Sequence, residues 1–344
     1  MSWPFWPAVY RHWPFDRPPA TAVSFPLSRA ENGDSGPPAP LLSIVTPCLN
    51  RASLVAQAIE SVRHQDYPRV EHIVMDGGST DGTLEVLRHY PHLDITSEKD
   101  QGLYDALNKA IRRTRGDVVG HINTDDLYEP RVFGAVMRAF ADHPEADAVV
   151  GGAVSFEDTA AGASVRQTYE PLTEQDFLRR ATRGVILTNA WFYRRRVYDR
   201  VGYFSLDYAL ASDRDFLLRF WQAGCRFVPL NLPVYRYRYH GGSLTIGDHR
   251  APGTVKLLDE YLRLAGRLRR EAADERLRAA ARSWLRAVAL EKVIVLGRNG
   301  RIAEAGAAGA RQLAEDPAWL LYLCGALPGK ALASGRRRLR GRRP

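Results

Sequence analysis

Between residues 41 and 126 the chain alternates short apolar runs with segments whose apolar residues recur at helical spacing. Leu42 to Thr46 form an apolar run cut off by Pro47, which reads as a short buried strand. Leu54, Ala58, Ile59 and Val62 then recur at helical intervals, with Ser53 or Asn50 placed to cap them. Val70 to Met75 is a second buried strand, closed by Asp76-Gly77-Gly78-Ser79-Thr80-Asp81-Gly82, and another helix begins near Thr83. Asp100, Gln101 and Gly102 occupy a loop before a helix over Tyr104 to Ile111, whose stripe is Leu103, Leu107, Ala110 and Ile111. A further apolar strand ends in Asn123, Asp125 and Asp126. Strand, helix, strand, helix, strand predicts an α/β fold with a mostly parallel central sheet and crossover helices.

In such sheets ligands bind beyond the carboxyl ends of the strands. Thr46 to Asn50, Asp76 to Asp81 and Asn123 to Asp126 all fall there, so three polar clusters converge on one cleft. Adjacent carboxylates after a strand suit a hard divalent cation, which takes oxygen ligands together with a substrate's phosphates. Two neighbouring acids also occur in ordinary turns. Asp76 can accept from a base N–H, since a carboxylate is acceptor-only, and Gly77 and Gly78 let a ligand approach the backbone. The competing reading makes 76–82 a turn with a helix cap, a role Asp81 partly fills.

The series TPCLNR, DGGSTDGT, SEKDQGLYDALNKAI and NTDD, in this order, resembles the family 2 glycosyltransferases over roughly residues 41–250. The resemblance implies a GT-A-type, Rossmann-like sandwich, an inverting transfer, a nucleotide-diphosphate-sugar donor (a UDP-sugar foremost) and a Mn2+ or Mg2+ ion. It places Thr46, Pro47, Asn50 and Arg51 beside the nucleotide, Asp76 on the base, and Gly77, Gly78 and Ser79 around it. Asp100, Asp105, Asn123 and Asp125 would line the donor. Asp125 and Asp126 match the "DXD" metal site, with Asn123 standing where the family often has the first Asp. Asp105 and Lys109 also have bland readings, as a helix-dipole partner and a solvated charge.

A second constellation lies at 209–224, where Ser212, Asp213 and Asp215 precede the apolar face of Phe216, Leu217, Phe220 and Trp221. Acids there complement a helix dipole. By resemblance Asp213 is the general base, with Ser212 in place of the family's Glu and Asp215 as the fallback. Val234 to Tyr239 alternate like a strand ending at His240, a candidate metal ligand through its neutral imidazole. Arg236 and Arg238 face either the donor or a sheet edge, and Thr188 to Phe192 offer an aromatic platform for a sugar.

Composition refines this picture at the ends. The 45% hydrophobic content is ordinary for a globular chain. Residues 1–40 are rich in Trp, Phe and Pro, run into a Pro/Gly linker, and lack the pattern of a signal peptide. Four segments follow: this extension; a nucleotide-sugar half at 41–150; an acceptor half carrying the base at 151–250; and a helical extension at 251–344. The last ends in six Arg among nine residues after a short apolar stretch, and the chain carries +9. That stretch is below the about 20 apolar residues of a bilayer span. With its basic tail it suits peripheral contact with anionic lipid, at the inner face of a membrane, beside a glycan or lipid-linked acceptor. No nucleic-acid module accompanies it. Cys48, Cys225 and Cys324 form no metal pattern and read as thiols of a reducing cytoplasm. A dinucleotide-binding dehydrogenase would need G-x-G-x-x-G after the first strand, and a sugar nucleotidyltransferase a Gly-rich basic loop; both are absent. An inactive sugar-nucleotide binder of the same fold stands as the alternative.

Overall fold

A computed structural model describes residues 39–159, 162–239 and 253–325. The chain forms two compact units, residues 1–181 with 185–242, and 182–184 with 243–344.

The first unit is built on one sheet. β1 (Leu42–Cys48) is buried along its whole length and lies between β2 (Val70–Asp76) and β4 (Val118–His121), parallel to both. β3 (Leu93–Ser97) extends this parallel half beyond β2. β1 continues through Pro47, where the sequence pattern ends it. The ladder to β4 stops at Val45, so the missing N–H of Pro47 costs no hydrogen bond, while pairing with β2 runs on to Cys48. The crossover helices are α1 (Val55–Arg63), α2 (Thr83–Arg88) and α3 (Leu103–Arg113). α1 starts without a side-chain cap from Ser53 or Asn50; Leu54 holds the cap position.

After β4 come β5 (Leu127–Tyr128), α4 (Phe133–Asp142), β6 (Ala148–Thr159) and β7 (Gly162–Tyr169). Then follow α5 (Phe177–Arg183), β8 (Trp191–Arg194), α6 (Arg196–Val201), α7 (Ser212–Gln222) and β9 (Phe227–Arg238). The sheet order is β3-β2-β1-β4-β8-β6-β9-β5, with β7 on β6. β8 runs antiparallel to β4 and β6, and this reversal lets β9 return beside β5 and reach the acid turn. The residue 150 boundary expected between donor and acceptor halves falls inside β6. The core under this junction is aromatic. Tyr128 meets Phe133 edge-on at 4.9 Å and Tyr235 at 5.6 Å, all at most 2% exposed. Fully burying such rings contributes about 1.5–3 kcal/mol each.

The second unit contains α8 (Gly253–Glu271), α9 (Glu275–Arg298) and α10 (Ile302–Glu315). Asp274 caps α9 by accepting from the Arg276 N–H at 2.8 Å. Leu277, Ala281, Trp284, Leu285 and Val288 recur at helical spacing and are buried. Arg286 pairs with both oxygens of Asp316 at 2.6 and 3.0 Å, and the Trp319 indole donates to the Arg286 carbonyl at 3.0 Å. Trp319 is therefore a core residue, 2% exposed, whereas Leu320 and Leu321 are 57% and 76% exposed. The arginine cluster and residues 1–38 lie outside the described residues. No described helix is long and apolar enough to cross a membrane.

Candidate active site

The loops at the carboxyl ends of β1, β2, β3 and β4 lie on one edge of the parallel half-sheet. Within them, acids of similar appearance in sequence have different duties.

Asp76 is fully buried, and its carboxylate is consumed by its own surroundings. Oδ2 accepts from the N–H groups of Gly78 and Ser79, each at 3.0 Å, and from Ser97 Oγ at 2.6 Å; Oδ1 accepts from Ser79 Oγ. These four donors make the Asp76 carboxylate close the turn and tie it to β3. Asp81 likewise receives the Ala52 N–H at 3.1 Å and the Thr83 N–H at 3.0 Å. Asn50, in the left-handed region at φ 53°, accepts from Thr80 N–H at 2.9 Å and donates its own N–H to Ser79 Oγ at 2.8 Å. Thr46 is fully buried, bonded to His72 Nε2 at 2.8 Å, and Pro47 is buried in β1. Burial pushes His72 down to about 3, so it is neutral. Arg51 is exposed, and its guanidinium donates to the Asn50 carbonyl at 3.2 Å.

The loop after β3 is built to hold one carboxylate forward. Lys109 donates to the Lys99 carbonyl at 3.0 Å and pairs with Glu98 at 2.9 Å and Asp105 at 3.3 Å. Asp105 also receives the Gln101 N–H at 3.0 Å. Asp105 and Lys109 thus tie this loop together. Gly102, at φ 116°, turns the chain into α3 and donates its N–H to Asp100 Oδ1 at 2.8 Å.

The acid turn after β4 is gripped from below. Asp126 is 1% exposed. Its Oδ2 accepts from Tyr235 Oη at 2.7 Å and Asn123 Nδ2 at 3.2 Å, and its Oδ1 from the Arg238 N–H at 2.8 Å. Arg238 adds Nε to the Asp125 carbonyl at 2.7 Å, Nη2 to Gln57 Oε1 at 2.6 Å, and an ion pair with Asp158. Behind Tyr235 a directional chain continues. Asn189 Nδ2 donates to Tyr235 Oη at 2.6 Å, and His121 Nε2 lies 3.1 Å from Asn189 Oδ1. Burial, then the charge of Asp125, pushes Asp126 up to about 7 despite its three donors. Arg238 thus clamps the turn rather than lining a sheet edge. Asp125 is only half-buried.

This donor set suits a hard divalent cation. It offers two adjacent carboxylates, Asp126 buried and Asp125 half-buried. Oδ1 of Asp126 accepts one bond and keeps a lone pair. Among the described residues no three His, Cys, Asp or Glu cluster so as to hold a metal ion. His240 lies outside the described residues, two positions beyond the strand end that docks on Asp126.

At the start of α7, Asp215 is fully buried and paired with Arg219 at 2.8 Å, while Arg219 also caps the Val201 and Tyr203 carbonyls. Asp213 is only partly buried. Its Oδ1 accepts the Arg214 N–H at 2.6 Å, and burial raises its proton affinity above the usual carboxylate range, although Arg214 and a hydrogen bond from Tyr104 oppose this. Tyr104 sits in the first turn of α3, four residues after Asp100, so Asp213 stands beside the loop that follows β3. Trp191 and Phe192, expected as a sugar platform, are 1% and 0% exposed and pack into the core. Gln57, His121, Tyr235 and the polar role of Asn189 were missed by sequence reasoning. Their one signal is a polar group at the end of an otherwise buried strand or helix face.

Comparison with known proteins identifies the class to which this sheet, acid turn and helix start belong. The profile of "Glycosyl transferase family 2" matches residues 43–202. A "PGL/p-HBAD biosynthesis glycosyltransferase" of Mycobacterium bovis BCG is 31% identical over 187 residues, covering 53% of this chain and 70% of that protein. The mannosyltransferase PcManGT of Pyrobaculum calidifontis, solved with GDP-Man and Mn2+, superposes with a TM-score of 0.55 at 21% identity, over 84% of this chain and 80% of that one. Staphylococcus aureus TarS 1–349, in complex with UDP-GlcNAc, gives 0.54 at 17% identity over 75% and 80%. The chain belongs to glycosyltransferase family 2, has the GT-A fold, and is a glycosyltransferase.

Proposed function

We propose that this enzyme transfers a sugar from a nucleotide diphosphate, a UDP-sugar foremost, to a hydroxyl of a glycan or lipid-linked acceptor, with inversion, in cell-surface polysaccharide synthesis. The observation that carries the reading is the hydrogen bond from Tyr104 to Asp213, which sets a carboxylate of raised proton affinity beside the donor loop. Inversion takes one displacement: the acceptor oxygen forms its bond to the anomeric carbon as the bond to the diphosphate breaks. The acceptor proton passes to Asp213. Arg51 is free to meet the diphosphate, and Asp125 with Asp126, joined by His240, would hold a Mn2+ or Mg2+ ion. When bound, that ion neutralises charge growing on the departing diphosphate. The ligands in complex with PcManGT and TarS, GDP-Man with Mn2+ and UDP-GlcNAc, support this class of donor.

Donor hydrolysis across a panel of nucleotide sugars, with Mn2+ and with excess chelator, tests the reading. Turnover of one donor that vanishes in chelator is expected; full activity in chelator removes the metal, and no turnover of any donor removes the assignment. The acceptor reading also implies peripheral attachment at the inner face of a membrane. Leu320 and Leu321 present apolar surface just before the arginine cluster. Sedimentation with anionic vesicles should be lost on deleting residues 326–344, and equal sedimentation of both proteins would make the tail a solvated end.

A further inference from the structure

Asn108 stands in the middle of α3 and is 3% exposed. Its carboxamide pairs with one residue 96 positions further along the chain. Nδ2 donates to the Phe204 carbonyl at 2.8 Å, and Oδ1 accepts from the Phe204 N–H at 2.9 Å. An amide carries a donor and an acceptor side by side, so here it partners a backbone residue as a neighbouring strand would. Phe204 lies in the connection between α6 and α7. Its ring packs against Tyr104 of α3 at 5.5 Å and Phe216 of α7 at 4.8 Å. The carbonyl of the next residue, Ser205, accepts from Ser212 Oγ at 2.7 Å. Ser212 is fully buried, begins α7 and immediately precedes Asp213. One turn before Asn108 on α3, Tyr104 is hydrogen-bonded to Asp213 itself.

From this geometry, and resting on Asp213 as the base, we propose that Asn108 is a positioning residue for the transfer: its paired hydrogen bonds to Phe204 fix where Asp213 stands relative to α3 and the loop before it. Two ties hold Asp213 against α3. Tyr104 grips the side chain, and a single hydrogen bond leaves a carboxylate free to pivot about it. Asn108 holds the backbone from which α7 starts, through Phe204, Ser205 and Ser212. The aromatic packing around Phe204 cannot replace that tie, because apolar attraction is non-directional and sets no register. Placement matters to a base. It must come within about 2.6–3.2 Å of the proton it takes, and a displacement of about 1 Å can cost about 100-fold in rate.

Turnover of the nucleotide sugar that the full chain hydrolyses, read beside calorimetric binding of its nucleotide diphosphate, tests the assignment. Asn108→Leu keeps the volume and removes both hydrogen bonds, so kcat should fall about 10- to 100-fold with nucleotide affinity unchanged. In the Asp213→Asn background the same substitution should cost nothing further, since a residue that acts through the base has nothing left to place. Glu71→Gln loosens the turn at Arg115 and Gly116, at the amino end of β2, and as a stability control should leave kcat unchanged. Equal fractional losses in both backgrounds, a matching loss of nucleotide affinity, or wild-type kcat in Asn108→Leu would overturn the assignment while Asp213 remains the base. If Asn108→Leu does not fold, Asn108→Asp, which keeps the acceptor for the Phe204 N–H, carries the same cycle. Failure of both to fold makes the amide a folding element and ends the assignment. Wild-type kcat in Asp213→Asn, or a wild type that turns over no donor, removes the reading on which it rests.

Discussion

The loop after β2 and the loop after β3 stand side by side and both carry aspartates, yet they spend them differently. In the first, Asp76 and Asp81 are bound up in backbone N–H and hydroxyl donors, and the acids make the loop rigid. In the second, Asp105 and Lys109 do the fastening, which leaves Asp100 one oxygen to offer. The two acids of α7 also differ: Asp215 is fully buried against Arg219, whereas the partly buried Asp213 accepts from the Arg214 N–H and from Tyr104.

The sharpest way to break this division is at α7. Asp213→Asn keeps the shape but cannot take a proton, so turnover should fall by about 10² to 10⁴ with nucleotide affinity nearly constant. Near wild-type turnover in that variant would return the base to another group, and a product of retained anomeric configuration would defeat single displacement.

Next in size is a pH effect on Asp126. Its folded proton affinity is raised to about 7 from an ordinary 3.8. Between those values the folded protein holds a proton that the unfolded chain has released, so stability falls as pH rises from about 4 to about 7. The span is at most about 4 kcal/mol. Urea unfolding in chelator at pH 5 and pH 8 should show this loss, and Asp126→Asn should flatten it. Mn2+ should restore stability at pH 8; a wild-type slope surviving in the variant would place the titration elsewhere.

The smallest effect separates the two loops directly. Asp76→Ala removes the acceptor of four hydrogen bonds and should cost about 3 kcal/mol in unfolding free energy. Asp100→Ala, with a single internal bond, should stay within about 0.5 kcal/mol. Equal losses would mean that both loops use their acids structurally.

Much of the parallel half was legible in the sequence because strands buried on both faces read as apolar runs. The unequal use of the acids was harder to read. For Asp76 a local signal existed: Asp followed by Gly-Gly-Ser favours a side chain that accepts from N–H groups two and three residues on. For Asp126 no local signal exists, since Tyr235 and Arg238 reach it from β9, more than a hundred residues away. Likewise, the Ser212-Asp213-Arg214-Asp215 run gives both acids the same helix-dipole role. Only the placement of Arg219 one turn later, at the right spacing for Asp215, hints at which is taken.

The chain from His121 through Asn189 and Tyr235 to Asp126 has a consequence for observation. The Asn189 carbonyl can only accept, so His121 must carry its proton on Nε2, and burial holds the ring neutral by lowering it to about 4. That orients the Asn189 amide toward Tyr235 and the Tyr235 hydroxyl toward the carboxylate. A single buried imidazole is thereby a built-in spectroscopic reporter. Its ring nitrogen resonances register, three links away, whether the acid turn is protonated, ionised or neutralised by a ligand.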